Sequence, residues 1–369
     1  MLTKNEMRTS TVNLKYIDAL KGIAILLVVL VHFNQSFNAP NHIIRLLSGL
    51  GSHGVQFFFI ISAFLLCCSY YKNISSQNYS LLRFVRDRIS RVLPLYYVSL
   101  VVYIIMRLTI GAFGGLVIWK SVICHILLIN GLIPNYINDL LGIEWYVADL
   151  FILYSLTPIL LRIIKNIRGS IIAFVLSVIL AFLVKEIYSY LVEVGVVEDG
   201  VFMHFFFTTS GFFVQFPCMA MGIVVYYLTK DISNKVNKDL IFYFGITFVI
   251  LLFTIIFYLV FGLVVLTSVS IFSLIGGGMF IVSSKIEPKF EMPAISFVSK
   301  PLCYLGKHSY GIYLFHFIII YYFSQYLQTP KYMLSWIGLF LIIVIMSLII
   351  GNLLKGVSNV TVKFLDSAL

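Results

Sequence analysis

Three ionisable side chains interrupt an aliphatic stretch running from Tyr16 to Phe37: Asp18 and Lys21 near one end, His32 near the other. Charged groups are costly inside a bilayer, so each invites a chemical reading. A neutral imidazole can take a proton from a hydroxyl while that hydroxyl attacks an acyl group. Burial disfavours the charged imidazolium and so suits such a base. Lys21 and His32 are eleven residues apart. In a helix that is about 20° past three full turns, with a rise of about 16 Å, so both side chains share one face. Asp18 lies within side-chain reach of Lys21. Two plainer alternatives stand beside the catalytic one: Lys21 snorkels to the interface and pairs with Asp18, and His32 is a hydrogen-bonded core residue.

Four more stretches carry candidate groups. "GSHGVQFFFIISAFLL" puts His53 before an aromatic span that contains Ser62. "RFVRDRISRVLPLYYV" holds Arg83, Arg86, Arg88 and Arg91, the last two and Pro94 at R-x-x-R-x-x-P spacing. Arginine forks of this kind suit phosphates; clustered cations at a membrane face are also an ordinary topology signal. "EWYVADLFILYSLTP" opens on Glu144 and carries Asp149, and "LGKHSYGIYLFHFII" carries Tyr313 and His316. His42, His125, His204 and His308 suggest no role, and His53 reads as a loop or interface residue.

The elements that must position these groups are membrane helices. The chain is 60% hydrophobic and 11% charged, against about 25% charged for a soluble domain, and its mean hydropathy is +1.01. Eleven apolar runs are visible, at 17–37, 54–71, 91–110, 116–132, 144–161, 170–190, 204–228, 240–259, 262–283, 310–327 and 333–354. If 116–132 does not cross, ten spans remain with both termini inside. The 26 Lys and Arg residues then divide into 21 inside and 5 outside, as the positive-inside rule asks. The expected fold is therefore all-α: a polytopic membrane bundle of about ten transmembrane helices, in a single domain over 1–369. The net charge of +11 follows from that rule, and no nucleic-acid partner is expected. The first run lacks a small-residue cleavage site, since Phe37 precedes Ala39, so it is expected to be retained. The five cysteines show no metal-type spacing or disulfide framework, and no metal is expected.

Taken in order, these motifs resemble the integral-membrane acyltransferase-3 family, from Tyr16 to about Ile320. Lys21 and His32 match its basic residue, ten intervening residues and histidine, with lysine where the family usually has arginine. Gly54, Val55, Phe57, Phe58, Ser62 and Phe64 match a second motif, with Ala63 for a glycine. Arg88, Arg91, Pro94 and Tyr96 match a third. Trp145, Tyr154 and Pro158 match a fourth, in which Leu150 stands at the usual glutamate, beside Asp149. Ser309, Tyr310, Tyr313, Leu314 and His316 match the last.

The resemblance implies transfer of an acyl group, usually acetyl, from cytoplasmic acetyl-CoA to a hydroxyl of a carbohydrate or lipid-linked glycan. Membrane lipid and the acceptor are the other partners, and the setting is a bacterial cytoplasmic (inner) membrane. His32 becomes the expected catalytic base. Lys21, Arg83, Arg86, Arg88 and Arg91 become the donor-phosphate site, and Asp18, Ser62, Asp149, Tyr313 and His316 supporting groups. A secondary transporter or flippase of a glycan or small polar solute is the competing expectation, since it too would use intramembrane ionisable residues.

Overall fold

The computed structural model describes residues 15–74, 81–109, 117–140, 142–230, 268–286, 290 and 292–368. Among them every regular element is helical. The helices are α1 (Lys15–Ser36), α2 (His42–Gly49), α3 (Gly54–Ile74), α4 (Leu81–Thr109), α5 (Val117–Ile126), α6 (Trp145–Ile163) and α7 (Ile167–Glu193). They continue with α8 (Val201–Phe205), α9 (Phe212–Lys230), α10 (Ser268–Ile286), α11 (Pro293–Lys307), α12 (Ser309–Tyr326) and α13 (Met333–Ala368).

Seven stretches among the described residues are long and apolar enough to cross a bilayer: Lys15–Ser36, His42–Ile74, Phe84–Thr109, Trp145–Ile163, Ile167–Glu193, Val201–Lys230 and Met333–Gly356. The chain is thus a polytopic helical membrane protein; the expected count of about ten is not confirmed among the described residues. The expected run at 240–259 and the start of that at 262–283 lie outside the described residues. The run at 310–327 is α12, whose 18 residues include five tyrosines and His316, and these lower its apolar character.

The stretch 116–132 does not form a spanning helix. α5 has ten residues, a rise of about 15 Å against a hydrocarbon core of about 30 Å. Leu128 then turns into the left-handed region at φ 56°, and short 3-10 turns follow at Asn130–Leu132 and Pro134–Tyr136. The run at 204–228 is also interrupted. A wider helical turn at Phe206–Ser210 ends at Gly211, which is extended, before α9 begins.

α3 and α9 are buried along most of their length and pack against each other at the centre. α7 is peripheral: Ile172, Leu176, Ile179 and Leu183 form one exposed stripe, spaced as the lipid-facing side of a helix. Its start is fixed by Asn166, whose side chain accepts from Gly169 N at 2.8 Å. This cap makes "RIIKNIR" a tight turn between α6 and α7 rather than a loop.

α11 was not anticipated as an element, and it positions the site. It lies along α1 so closely that a Cβ on Gly306 would sit 1.7 Å from the Asp18 carbonyl oxygen, and one on Gly22 would sit 2.1 Å from that of Leu302. Small residues permit such backbone approach in membrane helices. α11 runs into α12 through His308 alone. Docking α11 on α1 therefore also brings α12 beside α1.

Candidate active site

α1 and α12 each contribute one histidine to a common centre. The rings of His32 and His316 lie 5.3 Å apart, and Phe317 stands edge-on to His32 at 5.3 Å. His316 is fully buried. Its Nδ1 is 2.7 Å from the Tyr313 carbonyl oxygen and 3.2 Å from that of Ile312. A carbonyl only accepts, so Nδ1 carries the proton and Nε2 keeps its lone pair. That Nε2 has no hydrogen-bond partner among the described residues. His32 is half-buried and its Nδ1 donates to Gln35 Oε1 at 3.0 Å, which leaves its Nε2 a lone pair as well. The centre is thus two imidazoles with basic nitrogens and no carboxylate among their hydrogen-bond partners.

Tyrosines connect this pair to the neighbouring helices. The Tyr313 ring is 6.0 Å from His316 and 5.3 Å from Tyr146. The Tyr313 hydroxyl donates to the Ile143 carbonyl, and the Tyr146 hydroxyl lies 3.5 Å from Ser62 Oγ. His32, Ser62, and Tyr313 with His316, anticipated from three motifs, therefore form one continuous set. Tyr146 joins them unanticipated, directly after Trp145 of the fourth motif.

The remaining expected residues fall elsewhere. Lys21 Nζ pairs with Asp18 Oδ1 at 3.8 Å, about three helical turns from His32. Arg88 lies over the Phe84 ring at 5.1 Å, and Arg88 and Arg91 are close enough to Tyr154 for their charges to act on it. Arg86 and Arg91 are exposed. The Arg83 side chain is outside the described residues. Asp149 is fully buried on α6, with neither carboxylate oxygen hydrogen-bonded among the described residues; Gly131 is beside it. His53 stacks on Phe272 at 3.4 Å, as a packing residue does.

A second histidine centre had no counterpart in the sequence reading. His125, from α5, reaches Glu144 Oε1 at 3.0 Å and Asp139 Oδ1 at 3.6 Å through Nε2. Glu144 precedes α6 but does not cap it. Its carboxylate instead accepts from Leu140 N at 2.8 Å and Ile143 N at 2.9 Å. Burial alone would hold His125 below its ordinary value, but the hydrogen bond and charge of Glu144 more than reverse this, so its pKa is raised. Burial lifts Asp139 too, only partly offset by the Ser121 hydroxyl and His125. The signal was hard to see in sequence because His125 and Glu144 are 19 residues apart, across two turns that no periodicity announces.

Comparison with known proteins agrees with the motifs. The family described as "Acyltransferase domain" (Acyl_transf_3) matches residues 14–354. O-acetyltransferase OatA of Staphylococcus aureus strains NCTC 8325 / PS 47, COL and MRSA252 is 24% identical over 352 residues in each case, covering 86% of this chain and 52% of the relative. The chain thus spans about half the length of these relatives. No solved structure matches it. With residues 14–354 covered, the chain belongs to the acyltransferase-3 family.

Proposed function

We propose that the protein transfers an acetyl group from cytoplasmic acetyl-CoA to a hydroxyl of a carbohydrate or lipid-linked glycan. The observation that carries this is the His32–His316 pair, with a lone pair on each Nε2. His32 is the more accessible of the two and serves as the base. Its Nε2 takes the proton of the acceptor hydroxyl as the oxygen attacks the thioester carbonyl carbon. A tetrahedral intermediate forms and collapses, the carbon–sulfur bond breaks, and the imidazolium returns its proton to the leaving CoA thiolate. His316 is too close to carry a second positive charge cheaply. It stays neutral and offers Nε2 as an acceptor that steadies the proton on His32. Ser62, Tyr146 and Tyr313 shape the polar wall beside the pair.

The donor's phosphates lie at the other end of this route. Arg83, Arg86, Arg88 and Arg91 supply planar, permanently charged donors for a polyanion, and Lys21, paired with Asp18, adds a point charge to the donor-phosphate site. In this arrangement the bacterial cytoplasmic membrane houses the enzyme, with both termini inside. The test is incubation of membranes with acetyl-labelled CoA and extraction of lipid-linked and surface glycans. Label in an alkali-labile ester of a carbohydrate is expected. Carbohydrate movement across the membrane with no ester formed would replace this reading with a transporter.

A further inference from the structure

His125, Asp139 and Glu144 each offer one ligand atom, and these atoms all lie within 4.8 Å of one another. We propose that this cluster is a binding site for a divalent transition-metal ion of the zinc type, separate from the acyl-transfer centre.

The tautomer gives the first reason. His125 Nδ1 is 2.8 Å from the Ser121 carbonyl oxygen, so it carries a proton, and Nε2 is the atom left to bind a cation. A histidine oriented through Nδ1–H onto a backbone carbonyl is the usual outer arrangement of a metal ligand. Valence gives the second. One proton on Nε2 serves Glu144 Oε1 and leaves Asp139 Oδ1, which has no hydrogen-bond partner among the described residues. A metal ion serves all three atoms together.

Distance gives the third reason. Tetrahedral bonds of about 2.0–2.1 Å place ligand atoms about 3.3 Å apart, and the Nε2–oxygen separations here are 3.0 and 3.6 Å. The Glu144 carboxylate and the Asp139 backbone are already held: Ile143 N donates to Glu144 Oε2, and Arg107 donates to the backbone carbonyls of Asp139 and Leu140 at 3.2 Å each. Independently, the Tyr96 hydroxyl is fully buried, lacks a hydrogen-bond partner among the described residues and feels the charge of both carboxylates. A water on a bound ion would give it one. Asp139 keeps 19% of its side-chain surface, which provides an entry route.

The same carboxylates that favour a proton on His125 favour a metal ion there, so bound metal distinguishes the two. The full-length protein, purified in detergent and stripped with a chelator, is dialysed against Zn²⁺, and bound zinc is counted by mass spectrometry alongside the thermal midpoint. One zinc per chain and a zinc-dependent rise in midpoint are expected. His125→Ala should lose both. Asp139→Asn, at a partly exposed position that tolerates the change, should fold normally. It should weaken zinc binding by more than the roughly 10–100-fold that loss of an outer-shell partner costs. Zinc in the wild type no higher than in folded Asp139→Asn would overturn the site and leave a proton as the only cation on His125.

Discussion

Two histidine centres in this molecule use the same side chain in opposite ways. His32 and His316 face each other with no carboxylate among their hydrogen-bond partners, and each keeps an Nε2 lone pair. His125 faces Glu144 and Asp139, and its pKa is raised despite complete burial. Neighbouring charge decides whether a buried imidazole gives its lone pair to a passing proton or holds a cation permanently. In the proposed reaction the first centre does the chemistry, while the second ties down the segment that carries Ile143, whose carbonyl accepts from the Tyr313 hydroxyl. Damage to the first should therefore appear in rate, and damage to the second in stability.

The largest stability effect expected is from His125→Ala. Removing the imidazole takes away the cation facing buried Glu144, and breaking a buried pair in this way typically costs about 3–5 kcal/mol. The thermal midpoint in detergent should fall well below that of His32→Gln, and equal midpoints would erase the contrast between the centres. Next comes the donor end. Arg88→Gln with Arg91→Gln should raise the KM for acetyl-CoA by roughly 10–100-fold, as expected for losing charge-assisted hydrogen bonds. An unchanged KM in folded protein would reduce these arginines to topology signals.

Smaller still is His316→Phe, which fills the same buried space but removes the Nε2 acceptor. It should lower kcat about tenfold, the worth of roughly one hydrogen bond, with KM little changed. Full activity would make His316 a packing residue. Lys21→Arg should be nearly silent in the acetyl-transfer assay, because only a cation paired with Asp18 is required at that point; a large loss would show that lysine acts there specifically.

Much of this arrangement was legible from the chain. The stripe of Asp18, Lys21 and His32 follows from helical periodicity, and the Lys21–Asp18 pair is present as its spacing allows. The failure of 116–132 to span was readable from charge, because a crossing there would invert "RIIKNIR". Three things were not legible, each for a physical reason. α11 is short and interrupted by Pro301, so it resembled a polar connection, and only Gly22 and Gly306 reveal how tightly it sits on α1. The break at Gly211 lies in a largely apolar run, where the short cluster Thr208–Thr209–Ser210 was its main warning. The His125 centre depends on tertiary closure of two turns, which no local pattern encodes. Of the expected spans, α12 does not stand among the seven long apolar stretches of the described residues, since tyrosines replace part of its apolar surface.

The most direct test of the central claim is acetyl transfer by His32→Gln, normalised to folded protein. Glutamine keeps a hydrogen-bonding side chain of similar reach but cannot take up a proton at neutral pH. If His32 is the base, transfer from labelled acetyl-CoA should fall by roughly 10²–10⁴-fold, while the thermal midpoint and the KM for acetyl-CoA stay near wild type. Turnover within a few-fold of wild type would remove His32 as the base and contradict the account.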